Sequence, residues 1–224
     1  MLTIDVIALI PDIVRPIIED GVVSRAHREG LFELKFWNPR DFTSDTHHTV
    51  DARPFGGGPG MVMMYEPLKK VFDAIESERQ SRGFRIYMSP QGKLLQQQDL
   101  REFSTLDHIV ILCGRYEGVD QRIIDTEIDL ELSIGDYVLS GGELAAAVVI
   151  DGIVRLIPNA LSNEASHQND SFSEEGIFDH PHYTRPREIN GLKVPDVLLS
   201  GDHKAIEKWR RNEALKNTQK RASK

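Results

Sequence analysis

The chain has 224 residues and a formal net charge of −8, which is long enough to bury the core of one large and one small domain and too acidic to coat its whole surface with nucleic acid. Its single cysteine, Cys113, excludes an internal disulfide and fits a reducing compartment. Met1–Ile10 carries Asp5 and no basic n-region, and no apolar run approaches the roughly 20 residues of a membrane span, so the expectation is a cytoplasmic protein with no membrane partner.

In chain order, Leu2–Leu9 reads as a strand, Asp12–Asp20 as a helix closed by Gly21, and Leu31–Trp37 as a strand ended by Asn38-Pro39. The loop Phe55-Gly-Gly-Gly-Pro-Gly60 invites a phosphate-cradle reading but lacks the Lys-Ser or Lys-Thr pair of a nucleotide P-loop. A helix follows over Pro67–Glu78. Phe84–Met88 then reads as a strand running into Ser89-Pro-Gln-Gly92, ahead of a polar helix-like stretch. His108–Cys113 is short and almost wholly apolar, as expected of a strand buried on both faces of a parallel sheet. It leads into Gly114-Arg-Tyr-Glu-Gly-Val-Asp120. A further strand, Ile128–Ser133, leads into Ile134-Gly-Asp-Tyr-Val-Leu-Ser-Gly-Gly-Glu143, and Glu143–Ile157 is helix-like.

This alternation describes a parallel-sheet α/β domain. Ligands of open α/β sheets gather outside the carboxyl ends of the strands, and three glycine-marked turns fall at such ends here. Any one of them is ordinary turn chemistry. Together, with Gly141-Gly142 opening a helix, they point to a pocket in which a ligand approaches the backbone closely. No GxGxxG dinucleotide fingerprint is present.

Ser162–Gly176 is polar, aperiodic and long for a connection inside a compact domain, so it is expected to be functional or disordered. Asp202 to about Thr218 reads as a helix with Asp202 as N-cap and Ile206 and Trp209 on one buried face. From Lys204 to Lys224 there are eight Lys or Arg and two acidic residues, a local +6 that leaves −14 on residues 1–203. A basic end of this kind attracts phosphates without sequence preference; the alternative is a solvated helix face. His47-His48 and His180-Pro-His182 lack cysteine partners or helical i, i+4 spacing, so a zinc site is not expected and they read as loop residues or RNA contacts.

The strings Ser89-Pro-Gln-Gly92, Gly114-Arg-Tyr-Glu-Gly118 and Ile134-Gly-Asp-Tyr-Val-Leu-Ser-Gly-Gly-Glu143 resemble those of the bacterial tRNA (guanine-N1)-methyltransferases of the TrmD type. So do Asn38-Pro-Arg-Asp-Phe-Thr43, Arg53-Pro-Phe-Gly-Gly-Gly-Pro-Gly-Met61, Pro181-His-Tyr-Thr-Arg-Pro186 and Val197-Leu-Leu-Ser-Gly201, which extends the resemblance over residues 1–210. It implies a parallel sheet with helices on both faces, a deep C-terminal trefoil knot of the SPOUT type, and a small α-helical domain. General rules of chain topology predict no knot. The implied organisation is a knotted methyl-donor-binding domain over 1–160, an interdomain linker over 161–176 and a small helical tRNA-binding domain over 177–224. Many members continue for one or two helices beyond the equivalent of Lys224, which bears on how strongly and selectively tRNA is gripped; the basic end is a candidate compensation.

By resemblance, S-adenosylmethionine binds in the knot at Ser89, Pro90, Gly114, Tyr116, Glu117, Ile134, Gly135, Asp136, Tyr137, Val138, Leu139, Gly141 and Gly142, mostly through backbone groups. Guanine N1 carries a proton that must leave before methylation, a task for a positioned carboxylate, and the residue that the resemblance matches to it is Asp170; on its own residues Asp170 reads first as an Asx-type loop former, and the resemblance reverses that preference. Arg155 matches the cation that offsets charge developing at guanine O6, its alternative being an arginine facing the helix dipole. Asp51 and Gly60 are implied to line the base pocket. A dependence on Mg²⁺ is also implied, with Glu117 as the candidate ligand and an ion pair with Arg115 or Arg122 as the alternative. The implied partners are tRNA, methylated at the guanosine immediately 3′ of the anticodon, and a second copy of the chain, in a homodimer whose active site is shared. Two other readings stay open: a knotted methyltransferase acting on another RNA such as rRNA, and a non-catalytic RNA-binding factor.

Overall fold

Five apolar segments set the architecture of the computed structural model, which describes residues 1–161, 171, 172 and 176–222. β1 (Leu2–Ile7), β2 (Phe32–Trp37), β5 (Phe84–Leu94), β6 (His108–Cys113) and β7 (Leu130–Ser133) form one parallel sheet in the order β2-β1-β6-β5-β7. All six residues of β6 are buried, because the sheet is covered on both sides. Ile109, Ile111 and Cys113 join a core closed by α1 (Gly21–Arg28), α3 (Gln97–Phe103) and α5 (Glu143–Val154). Val110 and Leu112 face the opposite way, toward α2 (Tyr65–Arg79) and α4 (Gln121–Glu127). The period-2 alternation of a strand thus divides one apolar run between two cores.

Two local expectations are corrected. Asp12–Asp20 is not an α-helix; it forms two 3-10 turns, Pro11–Ile13 and Arg15–Ile18, and the helix begins only at Gly21. Pro16 cannot donate the N–H that a helix would direct at the Asp12 carbonyl, which stops propagation there. The second correction concerns β5, which extends to Leu94 and carries Ser89-Pro-Gln-Gly92 within it. Met88 and Lys93 both stand opposite Leu132 of β7, so the four residues between them bulge out of the ladder. Pro90 has no N–H to lose from a ladder, and a Cβ at Gly92 would collide with the Glu131–Leu132 backbone.

A small antiparallel hairpin, β3 (Asp51–Ala52) with β4 (Val62–Met63), brackets the glycine-rich loop, whose Gly56, Gly57, Gly58 and Gly60 all have positive φ. The chain divides into two compact units, Met1–Ser162 and Asn163–Lys224. The second contains a hairpin, β8 (Glu188–Ile189) and β9 (Leu192–Lys193), turning at Asn190-Gly191 with φ of 52° and 78°, as a type I′ turn requires. It also contains α6 (His203–Ala222), capped as expected: the Lys204 and Ala205 N–H groups donate to Asp202 Oδ1 at 3.0 and 3.1 Å. Among the described residues no helix is long and apolar enough to cross a membrane.

Candidate active site

The carboxyl ends of β5, β6 and β7 open into a cleft of about 250 Å³. Ser89, Pro90, Gly114, Tyr116, Glu117, Ile134, Gly135, Tyr137, Val138, Leu139, Gly141 and Gly142 all line it. Asp136 does not: it is exposed at the centre of a tight turn in which the Tyr137 N–H donates to the Gly135 carbonyl at 2.9 Å. Tyr87, Arg115 and Ser133 also line the cleft and escaped sequence reading, since each sits inside a strand or looks like an ordinary loop residue.

Close backbone approach explains the glycines. Gly142 donates its N–H to the Gly114 carbonyl at 2.9 Å, and a Cβ on Gly142 would lie 2.9 Å from Cys113 Cα. A Cβ on Gly114 would lie 2.8 Å from the Tyr87 hydroxyl oxygen. At the third strand end, Ser133 Oγ accepts from the Gly135 N–H at 3.2 Å and donates to the Gly135 carbonyl at 3.0 Å, folding the chain back over the cleft. Ser89 Oγ accepts from the Gln91 N–H at 3.2 Å and shapes the bulge in the same way.

An ion pair ties two of these loops together. Arg115 Nε donates to Glu143 Oε1 at 2.8 Å, and Arg115 Nη1 donates to the Ser140 carbonyl at 3.3 Å. The Glu143 side chain is only 1% exposed and its Oε2 has no hydrogen-bond partner. Burial, with Glu143 nearby, pushes the Cys113 thiol well above its ordinary pKa, so it is inert packing. Arg122 is engaged with Asp120 at 2.7 Å. Both arginines offered as partners of Glu117 are therefore committed elsewhere, and Glu117 makes no ion pair among the described residues. It is exposed and is the one carboxylate lining the cleft among the described residues.

The β3–β4 hairpin is hydrogen-bonded onto the loop that follows β6. The Glu117 N–H donates to Met61 O, the Met63 N–H to Gly118 O and the Asp120 N–H to Met63 O, each at 2.9 Å. Gly60 is thereby pressed against Glu117, where a Cβ would come within 2.5 Å of its Cγ, and Asp51 pairs with Met63 in the same hairpin. Both sequence candidates for the base pocket are thus held beside the cleft's lip. A second hollow of about 700 Å³ lies under the loop, with Arg53, Tyr65, Arg122 and the fully exposed Phe55 around it.

Arg155 does not belong to this cleft. It caps the carboxyl end of α5, its N–H donating to Asp151 O at 3.1 Å. Gly142 is at the other end, about 20 Å away at roughly 1.5 Å per residue. Asp170 lies outside the described residues. His47 and His48 are loop residues, the His48 ring nitrogen sitting 3.0 Å from the Arg40 carbonyl. At His180-Pro-His182, where the spacing gives no expectation of a zinc site, Asp179, His180 and His182 bring one potential ligand atom each to within 4.8 Å of one another. Sequence spacing concealed this because an extended Pro-containing segment, not a helix, turns the two rings together.

The family model described as tRNA (Guanine-1)-methyltransferase TrmD matches residues 2–224. The chain is 49% identical over 217 residues to the tRNA (guanine-N(1)-)-methyltransferase of Hydrogenovibrio crunogenus, covering 97% of this chain and 91% of that protein. It is 51% identical over 215 residues to the protein of that name from Proteus mirabilis (96% and 86% covered). With the one from Shewanella frigidimarina it is 52% identical over 213 residues (95% and 86% covered).

Proposed function

This chain belongs to the tRNA (guanine-1)-methyltransferase family, and we propose that it methylates N1 of guanine in tRNA, at the guanosine immediately 3′ of the anticodon, with S-adenosylmethionine as donor. The observation that carries this reading is the cleft at the ends of β5, β6 and β7, whose backbone is left bare by Gly114, Gly141 and Gly142. Such a cradle suits a flat adenine read by backbone N–H and C=O groups, while the apolar rim of Tyr116, Tyr137, Val138 and Leu139 covers its faces. The close passage of Gly142 beside Cys113 and Gly114 is compatible with a trefoil knot threading the α5 entrance past the loop after β6.

The donor supplies an electrophilic methyl carbon on a sulfonium. Asp170 accepts the N1 proton, the N1 electron pair then forms the new C–N bond as the C–S pair returns to sulfur, and Arg155 offsets the negative charge that spreads toward O6. Asp51 and Gly60 hold the base at the lip of the cleft. Glu117 is assigned as the single protein carboxylate for Mg²⁺, an ion that commonly binds through one or two carboxylates and keeps its remaining waters; among the described residues no second acidic side chain lines the cleft.

A homodimer is part of this reading, and the placement of Arg155 supports it. The length of α5 separates Arg155 from its own chain's cleft, so the cleft of one subunit is completed by Arg155 and Asp170 of the other. Leu144 and Val148, one helical turn apart on α5, are 54% and 50% exposed, and Val138 and Leu139 in the preceding loop are exposed as well. They supply an apolar face for that contact. In this reading residues 1–160 bind the donor, 161–176 carry the general base, and 177–224 grip tRNA, in the reducing cytoplasm that a lone buried thiol suits.

The test is transfer of labelled methyl from S-adenosylmethionine to unmodified tRNA transcripts bearing guanosine or adenosine 3′ of the anticodon, with wild type and Asp170→Ala. Guanosine-dependent transfer that Asp170→Ala abolishes is the expected result. Donor binding without transfer to any tRNA would redirect the assignment to another RNA, or to a binding protein without chemistry.

A further inference from the structure

In the C-terminal unit, we infer that Asp179, His180 and His182 form a binding site for a divalent transition metal of the zinc type, with at least one coordination position open to solvent. Their ligand atoms are already gathered. His182 Nε2 lies 2.9 Å from Asp179 Oδ2 and His180 Nε2 lies 3.8 Å from Asp179 Oδ1. Ligands about 2.0–2.1 Å from a tetrahedral zinc ion stand roughly 3.3 Å apart, a value these two distances straddle.

The scaffold is fixed from both sides. The Asp179 N–H donates to Ser171 Oγ at 3.0 Å and its carbonyl accepts from Asn217 Nδ2 at 3.0 Å, while the preceding Phe178 N–H donates to Thr218 Oγ1 at 3.0 Å. Asn217 and Thr218 belong to α6, so the ligand segment is pinned to a helix rather than left in a free loop. Pro181 stiffens the chain between the two histidines, whose ring centroids are 4.4 Å apart.

The hydrogen bonds also select the right tautomer. His180 Nδ1 is 3.1 Å from the Pro181 carbonyl, which can only accept, so Nδ1 carries the proton. In the neutral ring this turns the Nε2 lone pair toward the Asp179 carboxylate, an arrangement that calls for a positive charge between them. Backbone carbonyls orient metal-binding histidines in the same way.

Two imidazoles and one carboxylate are borderline donors that suit zinc and its neighbours in the first transition row rather than magnesium. This site is therefore distinct in chemistry from the one assigned to Glu117. His180 and His182 border a hollow of about 680 Å³ that Tyr183, Arg185, Trp209 and Arg210 also line. Those arginines favour water or an anionic oxygen, not a further cation, at the open position.

The experiment is equilibrium binding of Zn²⁺ and Co²⁺ to the full chain after chelator treatment, for wild type, His182→Gln and His180→Ala. Equimolar Zn²⁺ binding that excess Mg²⁺ does not displace, and Co²⁺ absorption bands of tetrahedral type, are expected. Each variant should weaken binding by more than the roughly 10–100-fold that loss of an outer-shell partner costs. His182 is 70% exposed, so its substitution leaves folding intact. Absence of equimolar binding, or an unchanged affinity in His182→Gln, would overturn the site. The readout needs neither tRNA nor S-adenosylmethionine, so it succeeds or fails independently of the methyltransferase reading.

Discussion

At Gly142 a single added methyl group would stand 2.9 Å from Cys113 Cα and 3.1 Å from the Gly114 nitrogen, both backbone atoms that cannot move aside. Gly142→Ala is accordingly expected to lower affinity for S-adenosylmethionine by at least about tenfold, on the order of 1.4 kcal/mol, in a calorimetric titration; wild-type affinity would place the donor elsewhere. A second residue-scale effect concerns Asp5, which is wholly buried and hydrogen-bonded to Trp37, Arg79 and His108. Burial alone would raise its pKa, yet the bonds from His108, Arg79 and Trp37 prevail and hold it below the ordinary carboxylate value. Its contribution to stability is thus complete above about pH 4, the unfolded value, and is lost as the pH falls further through the lower folded value. Denaturant unfolding of wild type and Asp5→Asn should show a stability gap that is constant from about pH 5 to 7 and narrows in more acidic buffer. A gap that widened in acid would reverse the sign of the argument. The sequence singles out Gly142, in a glycine pair that opens a helix after a strand, but not Asp5, because an aspartate in a strand is compatible with an ordinary role.

Elements differ in how far local chemistry determines them. α6 begins where it should because Asp202 supplies the capping oxygen from within the sequence itself. Asp202→Ala should cost about 1 kcal/mol, read as lower helix content and a lower unfolding midpoint; no change would mean that α6 is held by packing alone. The Asp12–Asp20 segment shows the opposite case. Its apolar spacing suits a helix, but Pro11 and Pro16 reduce it to two 3-10 turns. β5 passes through Ser89-Pro-Gln-Gly92, which reads as a turn, because β7 offers a ladder on the far side of the bulge. The Asn190-Gly191 hairpin carried a local signal of its own, two residues that both tolerate positive φ.

At the scale of the whole molecule the question is which chain completes which cleft. If the general base acts on the partner's donor site, co-expressed Gly142→Ala and Asp170→Ala chains, each inactive alone when assayed at a donor concentration too low to fill the Gly142→Ala site, should regain activity together. Random pairing makes half the dimers mixed, each with one sound site, so about a quarter of wild-type activity should return. A site built within one chain would leave the mixture dead. Disrupting the apolar face of α5 with Leu144→Asp and Val148→Asp should abolish that rescue by yielding monomers in sedimentation.

The sequence by itself determined the five sheet strands, the glycines at the strand ends and the charge concentrated at the carboxyl end. Apolar runs, turn residues and net charge are properties of neighbouring residues, and the sheet only has to accept them. Tertiary structure alone decided that Glu117 is left without Arg115 or Arg122, that Gly60 abuts it, and that Asp136 turns out of the cleft. It also decided that α5 carries Arg155 away from Gly142, and that Asp179 and two histidines converge. Each of these is a relation between side chains or loops that a register, a bulge or a helix length fixes in space, and those distances do not exist until the sheet has formed.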